Sequence, residues 1–119
     1  MIDFAQYWQD CIGQDREALR SWFWPDARII WPCTEEVFTV DEFLIANCEY
    51  PGAWTGELLN VTTTPMGAVT EVRIASADGT YSCHAASIFT LYKGKIASLT
   101  EYYADDGPPP SWRTKLLNR

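Results

Sequence analysis

The second half of the chain limits the fold more than any other part. From Thr55 onward, four β-prone segments run roughly Gly56 to Thr64, Ala68 to Ala77, Thr80 to Tyr92 and Lys95 to Ala104, rich in Val, Ile, Thr, Tyr and Phe. Pro65-Met66-Gly67, Asp78-Gly79 and Lys93-Gly94 separate them. Gaps this short leave room only for hairpins, so the segments predict an antiparallel meander.

The turns also set register. Asp78-Gly79 favours a two-residue loop, which places Ile74 opposite Cys83, Val72 opposite Ala85 and Thr70 opposite Ser87. For the last hairpin the preferred reading is a three-residue loop, Tyr92-Lys93-Gly94, which pairs Leu91 with Lys95, Ser87 with Leu99, Ala85 with Glu101 and Cys83 with Tyr103. A two-residue loop would instead bring His84 and Ala86 onto the face of Glu101. In the preferred register the inner face carries Val72, Ile74, Cys83, Ala85, Phe89, Leu91 and Leu99, with Ser87, Glu101 and the Tyr103 hydroxyl as its polar points. Glu71, Arg73, His84 and Thr90 take the other face.

Glu101 therefore shares a strand face with Ala97, Leu99 and Tyr103. Burying a carboxylate there without partners would cost roughly several kcal/mol, so the fold must solvate it in a cavity or use it.

The first half reads as helices and one strand. Phe4, Trp8, Cys11 and Ile12 recur at helical spacing, with Tyr7 at the edge of that stripe. Asp15 can cap a second helix carrying Ala18, Leu19, Trp22 and Phe23, which Pro25 stops. Ala27 to Trp31 is β-prone, and Pro32 suggests an edge or a bulge. Thr39 and Glu42 form a capping box for a helix running to about Glu49, ended by Tyr50-Pro51-Gly52. Its stripe of Val40, Phe43, Leu44 and Asn47 turns a second polar group inward.

Composition removes several function classes. At 119 residues the chain forms one domain with one core. A formal net charge of −7 without a basic stripe argues against nucleic acid and anionic membranes. No run approaches the ~20 apolar residues of a membrane span, and Met1-Ile2-Asp3 opens without a basic secretory segment, so a soluble cytoplasmic protein is expected. Cys11, Cys33, Cys48 and Cys83 lack zinc-site spacing and only one histidine is present, so no metal is expected; the cysteines read as small hydrophobes, with two disulfides as the alternative in an oxidising compartment.

Helix, helix, strand, helix and a long meander is an order that becomes familiar at its end. The hairpin Ser87-Ile88-Phe89-Thr90-Leu91-Tyr92-Lys93-Gly94-Lys95-Ile96 and the closing Glu101-Tyr102-Tyr103-Ala104-Asp105-Asp106-Gly107 resemble the nuclear transport factor 2-like superfamily, in its SnoaL-like branch, over the whole chain as a single domain. Asn47-Cys48-Glu49-Tyr50-Pro51-Gly52 and Pro110-Ser111-Trp112-Arg113 look like features of a smaller bacterial subgroup. The resemblance implies an α+β cone: a curved antiparallel sheet wrapped around three N-terminal helices, a short C-terminal helix or tail, a ligand cavity between sheet and helices, and a homodimer through the sheet's outer face. Members include steroid isomerases, polyketide cyclases, dehydratases, epoxide hydrolases and non-catalytic scaffolds, and fold does not choose among them. Carried over from the ketosteroid isomerase relatives, the tyrosine donor matches Tyr7. The catalytic base falls at Trp31 and the acidic donor at Ser87, so that mechanism is not expected here.

Each candidate residue has a functional and a structural reading. Glu101 is a general acid or base in an apolar cavity, or a structural carboxylate bound to a backbone donor, Arg113 or Tyr7. Tyr7 and Tyr103 donate to a substrate oxygen, or are core tyrosines. Asn47 orients a ligand carbonyl or bonds a neighbouring loop, and Ser87 polarises the substrate. Trp31, Trp54 and Trp112 line the pocket for a flat ligand, or fill the core. His84 reads as an outer-face residue, and Asp105-Asp106 as a solvated tail entry rather than a metal site. The leading expectation is a dimeric, cofactor-independent pocket protein for a hydrophobic small molecule with a polar oxygen, isomerase, dehydratase or hydrolase in kind. The rival is a structural or regulatory dimer whose cavity is filled by its own side chains.

Overall fold

The computed structural model describes residues 2–116; Met1 and the last three residues lie outside them. Two short helices open the chain, α1 (Phe4–Ile12) and α2 (Arg16–Arg20), each capped by an aspartate, Asp3 and Asp15, whose side chain accepts from a first-turn amide. The second helix is shorter than its pattern predicts. Phe23 already belongs to strand β1 (Phe23–Trp31), and Pro25 lies within that strand, not beyond a helix. It is tolerated because β1 bulges between Phe23 and Arg28, where no ladder bond needs its missing N–H.

After a 3-10 turn (Pro32–Thr34) and the short strand β2 (Glu36–Phe38), the Thr39–Glu42 capping box starts α3 (Val40–Cys48) as expected. The two reciprocal bonds are 3.2 and 2.9 Å long. Thr39→Ala is expected to lower the unfolding free energy by about 1 kcal/mol in denaturant titration.

The meander follows as β3 (Trp54–Thr64), β4 (Gly67–Ser76), β5 (Ser82–Tyr92) and β6 (Lys95–Asp105), before the exposed turn α4 (Ser111–Thr114). The sheet order is β2-β1-β6-β5-β4-β3. It is mixed rather than wholly antiparallel, because β1 runs parallel to β6. Gly67 is required at the start of β4: a Cβ there would come within 2.1 Å of the Phe89 carbonyl oxygen.

The β4–β5 register is the predicted one, with Ile74 opposite Cys83, Val72 opposite Ala85 and Thr70 opposite Ser87. The last hairpin differs. Tyr92 pairs with Lys95 across a two-residue loop in which Lys93 and Gly94 both take positive φ, 47° and 81°, so Ser87 faces Glu101, Ala85 faces Tyr103 and Phe89 faces Leu99. A two-residue loop alone would have carried His84 inward. The extra residue Ala97, unpaired on both the β5 and β1 sides, restores the alternation, so Glu101 stays inside and His84 outside.

Helices α1 and α3 lie in the concave side of the sheet, and the core between them is largely aromatic. Tyr7 is at its centre and not its edge: it is fully buried, and the rings of Phe4, Trp8, Trp22, Phe23 and Phe89 surround it at centroid distances of 5.3–6.5 Å. Among the described residues no helix is long and apolar enough to cross a membrane.

Candidate functional site

A polar row crosses the inner face of this sheet. Thr70, Ser87 and Glu101 stand opposite one another on β4, β5 and β6, all fully or almost fully buried. Trp8 closes one end by donating its indole N–H to Thr70 Oγ1 at 3.0 Å. At the other end Glu101 receives three donors: Ser87 Oγ at 2.7 Å on Oε2, and Trp31 Nε1 at 3.0 Å and the Tyr103 hydroxyl at 3.4 Å on Oε1. An indole N–H can only donate, so Oε1 is held as an acceptor. Burial pushes the Glu101 carboxyl above its ordinary range, while the bonds from Ser87, Trp31 and Tyr103 pull it back. The partners expected for a structural carboxylate were a backbone donor, Arg113 or Tyr7. The structure gives it none of these as a hydrogen-bond partner.

Beyond Trp31 and Tyr103 lies an open cavity of about 380 Å³ between the sheet and the helices. Aromatic rings dominate its wall: Trp31, Tyr50, Trp54, Tyr81 and Tyr103, joined by Ile12, Ile74 and the thiols of Cys11 and Cys83. Asn47 also borders it. Its amide donates to the Cys11 carbonyl oxygen at 2.9 Å and its Oδ1 accepts from Cys11 Sγ at 3.3 Å, tying α3 to α1. Gln14 secures the same corner, donating to the carbonyls of Asn47 and Tyr50.

The expected site residues are thus divided. Trp31, Asn47, Trp54 and Tyr103 line the cavity, whereas Glu101 stands one hydrogen bond behind its wall and Ser87 two. Tyr7 is deeper still, and its hydroxyl is the one buried side-chain oxygen or nitrogen without a partner among the described residues. Burial first, then Cys11, Glu101 and Tyr103 nearby, push its pKa well up, so it stays a neutral donor. Trp112 does not belong with the others: it lies on α4, 68% exposed, with Arg113 stacked over its ring. It is not among the residues that line the cavity.

His84 and Asp106 meet on the outer face, where Asp106 also accepts from Ser82 and pairs with Arg73. Asp106 is therefore a clamp at the end of β6 rather than a free tail residue. All four cysteines are free, and Cys33 is exposed. No group of three or more metal-ligating side chains occurs among the described residues.

Tyr50, Tyr81 and Glu36 are wall residues that sequence reasoning passed over. Alternation from Cys83 places Tyr81 on the inner face, so its signal was present. Glu36 had none, because β2 is three residues long.

A mixed six-stranded sheet curled around helices, with a cavity between, is matched by solved structures. A provisionally assigned ketosteroid isomerase from Kribbella flavida DSM 17836 is 22% identical, with TM-score 0.80 over 97% of this chain and 84% of that one. An NTF-2 like protein of unknown function from Burkholderia xenovorans LB400 is 21% identical, with TM-score 0.79 over 94% and 88%. A protein of ketosteroid isomerase-like fold from Catenulispora acidiphila DSM 44928, in complex with trimethylamine, is 11% identical, with TM-score 0.71 over 86% and 85%. The fold is nuclear transport factor 2-like. No protein-family model matches the sequence, and no curated protein matches it. Within this fold an open cavity of about 380 Å³ lies between the sheet and the helices.

Proposed function

We propose that this chain is a small-molecule pocket protein of the SnoaL-like type, taking an apolar organic ligand whose polar oxygen meets Tyr103. One observation carries the reading: the cavity wall is formed by Trp31 and Tyr103, and both donate to a buried carboxylate. A pocket with a largely aromatic wall and a few convergent polar groups is the ordinary form of a ligand site. Glu101 does not reach the cavity directly, so the chemistry this geometry favours is proton transfer relayed by the Tyr103 hydroxyl, with Glu101 as the acid or base and Ser87 positioning it. While bonded to Glu101 Oε1, the Tyr103 hydroxyl can take a proton from a substrate oxygen as it passes its own to the carboxylate, and return it in the reverse step. Isomerisation, dehydration or hydrolysis without a cofactor fits such a relay. Asn47, Trp31 and Trp54 shape the pocket.

The likeness to the Kribbella protein supports the reading at the level of fold. Four free cysteines favour a reducing, cytoplasmic compartment. Exposed Ile88 and Tyr102 on the outer face of β5 and β6 favour a homodimer formed there.

A cavity-filling variant tests the proposal. Ala46 is on α3 at the cavity wall, and Ala46→Trp places an indole in the cavity. In a thermal-shift screen of small hydrophobic molecules, the wild type is expected to bind several and Ala46→Trp to lose at least tenfold in affinity while unfolding cooperatively. Equal binding by both, or no binder for the wild type, would count against the pocket.

A further inference from the structure

The donors and acceptors around the cavity are unequally available. Most donors on its wall are already engaged: Tyr81 OH with Asp105 at 2.6 Å, Thr34 Oγ1 with Glu36 at 2.6 Å, Trp31 Nε1 with Glu101, and Trp54 Nε1 with the Pro51 carbonyl at 3.3 Å. The acceptors of three of these bonds are carboxylates. Glu36 stands on the wall itself, while Asp105 and Glu101 sit one bond behind Tyr81 and Tyr103.

None of the described lining residues is Lys, Arg or His. Arg16 and Arg73 are paired with Glu49 and Asp106 instead. At one end of the cavity three rings meet nearly edge to face: Tyr50 and Trp54 at 5.5 Å and 63°, Trp54 and Tyr81 at 5.9 Å and 90°. An aromatic wall of this kind suits a cation whose charge is too diffuse to need hydrogen bonds. An anion would meet carboxylates and few free donors.

We infer that the cavity is selective for ligands bearing an organic cation, a protonated or quaternary amine, seated against Tyr50, Trp54 and Tyr81, with Glu36, beside Trp31, adding negative charge from elsewhere on the same wall. The inference rests on the pocket reading above and adds the ligand's charge. The net charge of −7 acts in the same direction by raising the local concentration of cations.

The test pairs two molecules of one shape, (2-phenoxyethyl)trimethylammonium and its neutral carbon isostere, 3,3-dimethylbutyl phenyl ether, titrated against the wild type by intrinsic tryptophan fluorescence. The cation is expected to bind roughly tenfold tighter. Glu36→Gln and Trp54→Leu should each reduce that preference several-fold. Equal or tighter binding of the neutral ether would overturn the cation preference while leaving the pocket reading intact. Failure of both molecules to bind, or undiminished binding of both by Ala46→Trp, would overturn the pocket reading and this inference with it.

Discussion

Replacing Trp31 by alanine is expected to lower the unfolding free energy by about 3–5 kcal/mol, the range for truncating a large core aromatic. Trp31 packs edge to face against Phe38, Phe43 and Tyr103 at 4.8, 6.3 and 5.7 Å, so its loss opens a void between β1, β2 and α3. It also removes one of the three donors to Glu101. Trp31→Phe separates the two effects. It keeps most of the ring contacts but not the N–H, and is expected to cost about 1–2 kcal/mol, the price of one hydrogen bond to a buried group that can be charged. Denaturant titrations of the two variants read these values. If Trp31→Phe cost as much as Trp31→Ala, the bond to Glu101 and not the packing would hold the wall in place.

A second large effect concerns pH. The Glu101 carboxyl is raised above its ordinary value of 4.5 in the folded chain, with burial as the first cause. The folded state then holds that proton more tightly than the unfolded state. Its contribution to stability is fully present below the unfolded value and is lost as pH rises through the higher folded-state value. Asp78, lowered to about 2 by bonds from Thr80 and Ser76, and Asp106, lowered chiefly by bonds from Ser82 and His84, act in the opposite sense: they stabilise at higher pH and cease to as pH falls. Because a Glu101→Gln variant shares them, they cancel in a comparison. The stability of the wild type minus that of Glu101→Gln is expected to fall as pH rises from about 4.5 and then to level off. A difference independent of pH would mean that Glu101 titrates like a carboxyl in water.

Much of this arrangement was legible before any coordinates. Asp78-Gly79 set the β4–β5 register because hairpin loops of that composition leave one low-strain pairing, and Thr39 with Glu42 marked the start of α3 because two backbone donors there need side-chain partners. Glu101 pointed inward for the expected reason, the period-2 alternation with Leu99 and Tyr103, yet opposite Ser87 and not Ala85. The error came from two one-residue shifts, a loop of two residues instead of three and the bulge at Ala97, which carries no sign of its own in a stretch of ordinary β-formers. Tyr7 looked peripheral because Trp22 and Phe23 were read as helix. As the entrance to β1 they cover Tyr7 from the other side. Trp31 and Ser87, the positions at which the resemblance found isomerase groups replaced, are both donors to Glu101, a relation between three strands that spacing within one segment does not reveal.

The central claim is that a carboxyl group with a raised pKa stands directly behind the wall of a ligand cavity. Carbon-13 NMR of protein labelled at the glutamate side-chain carboxyls tests it most directly. One resonance, absent in Glu101→Gln, is expected to titrate above the ordinary glutamate range and to move when a hydrophobic ligand enters the cavity. A Glu101 signal that titrates in the ordinary glutamate range and does not respond to any bound ligand would overturn this reading.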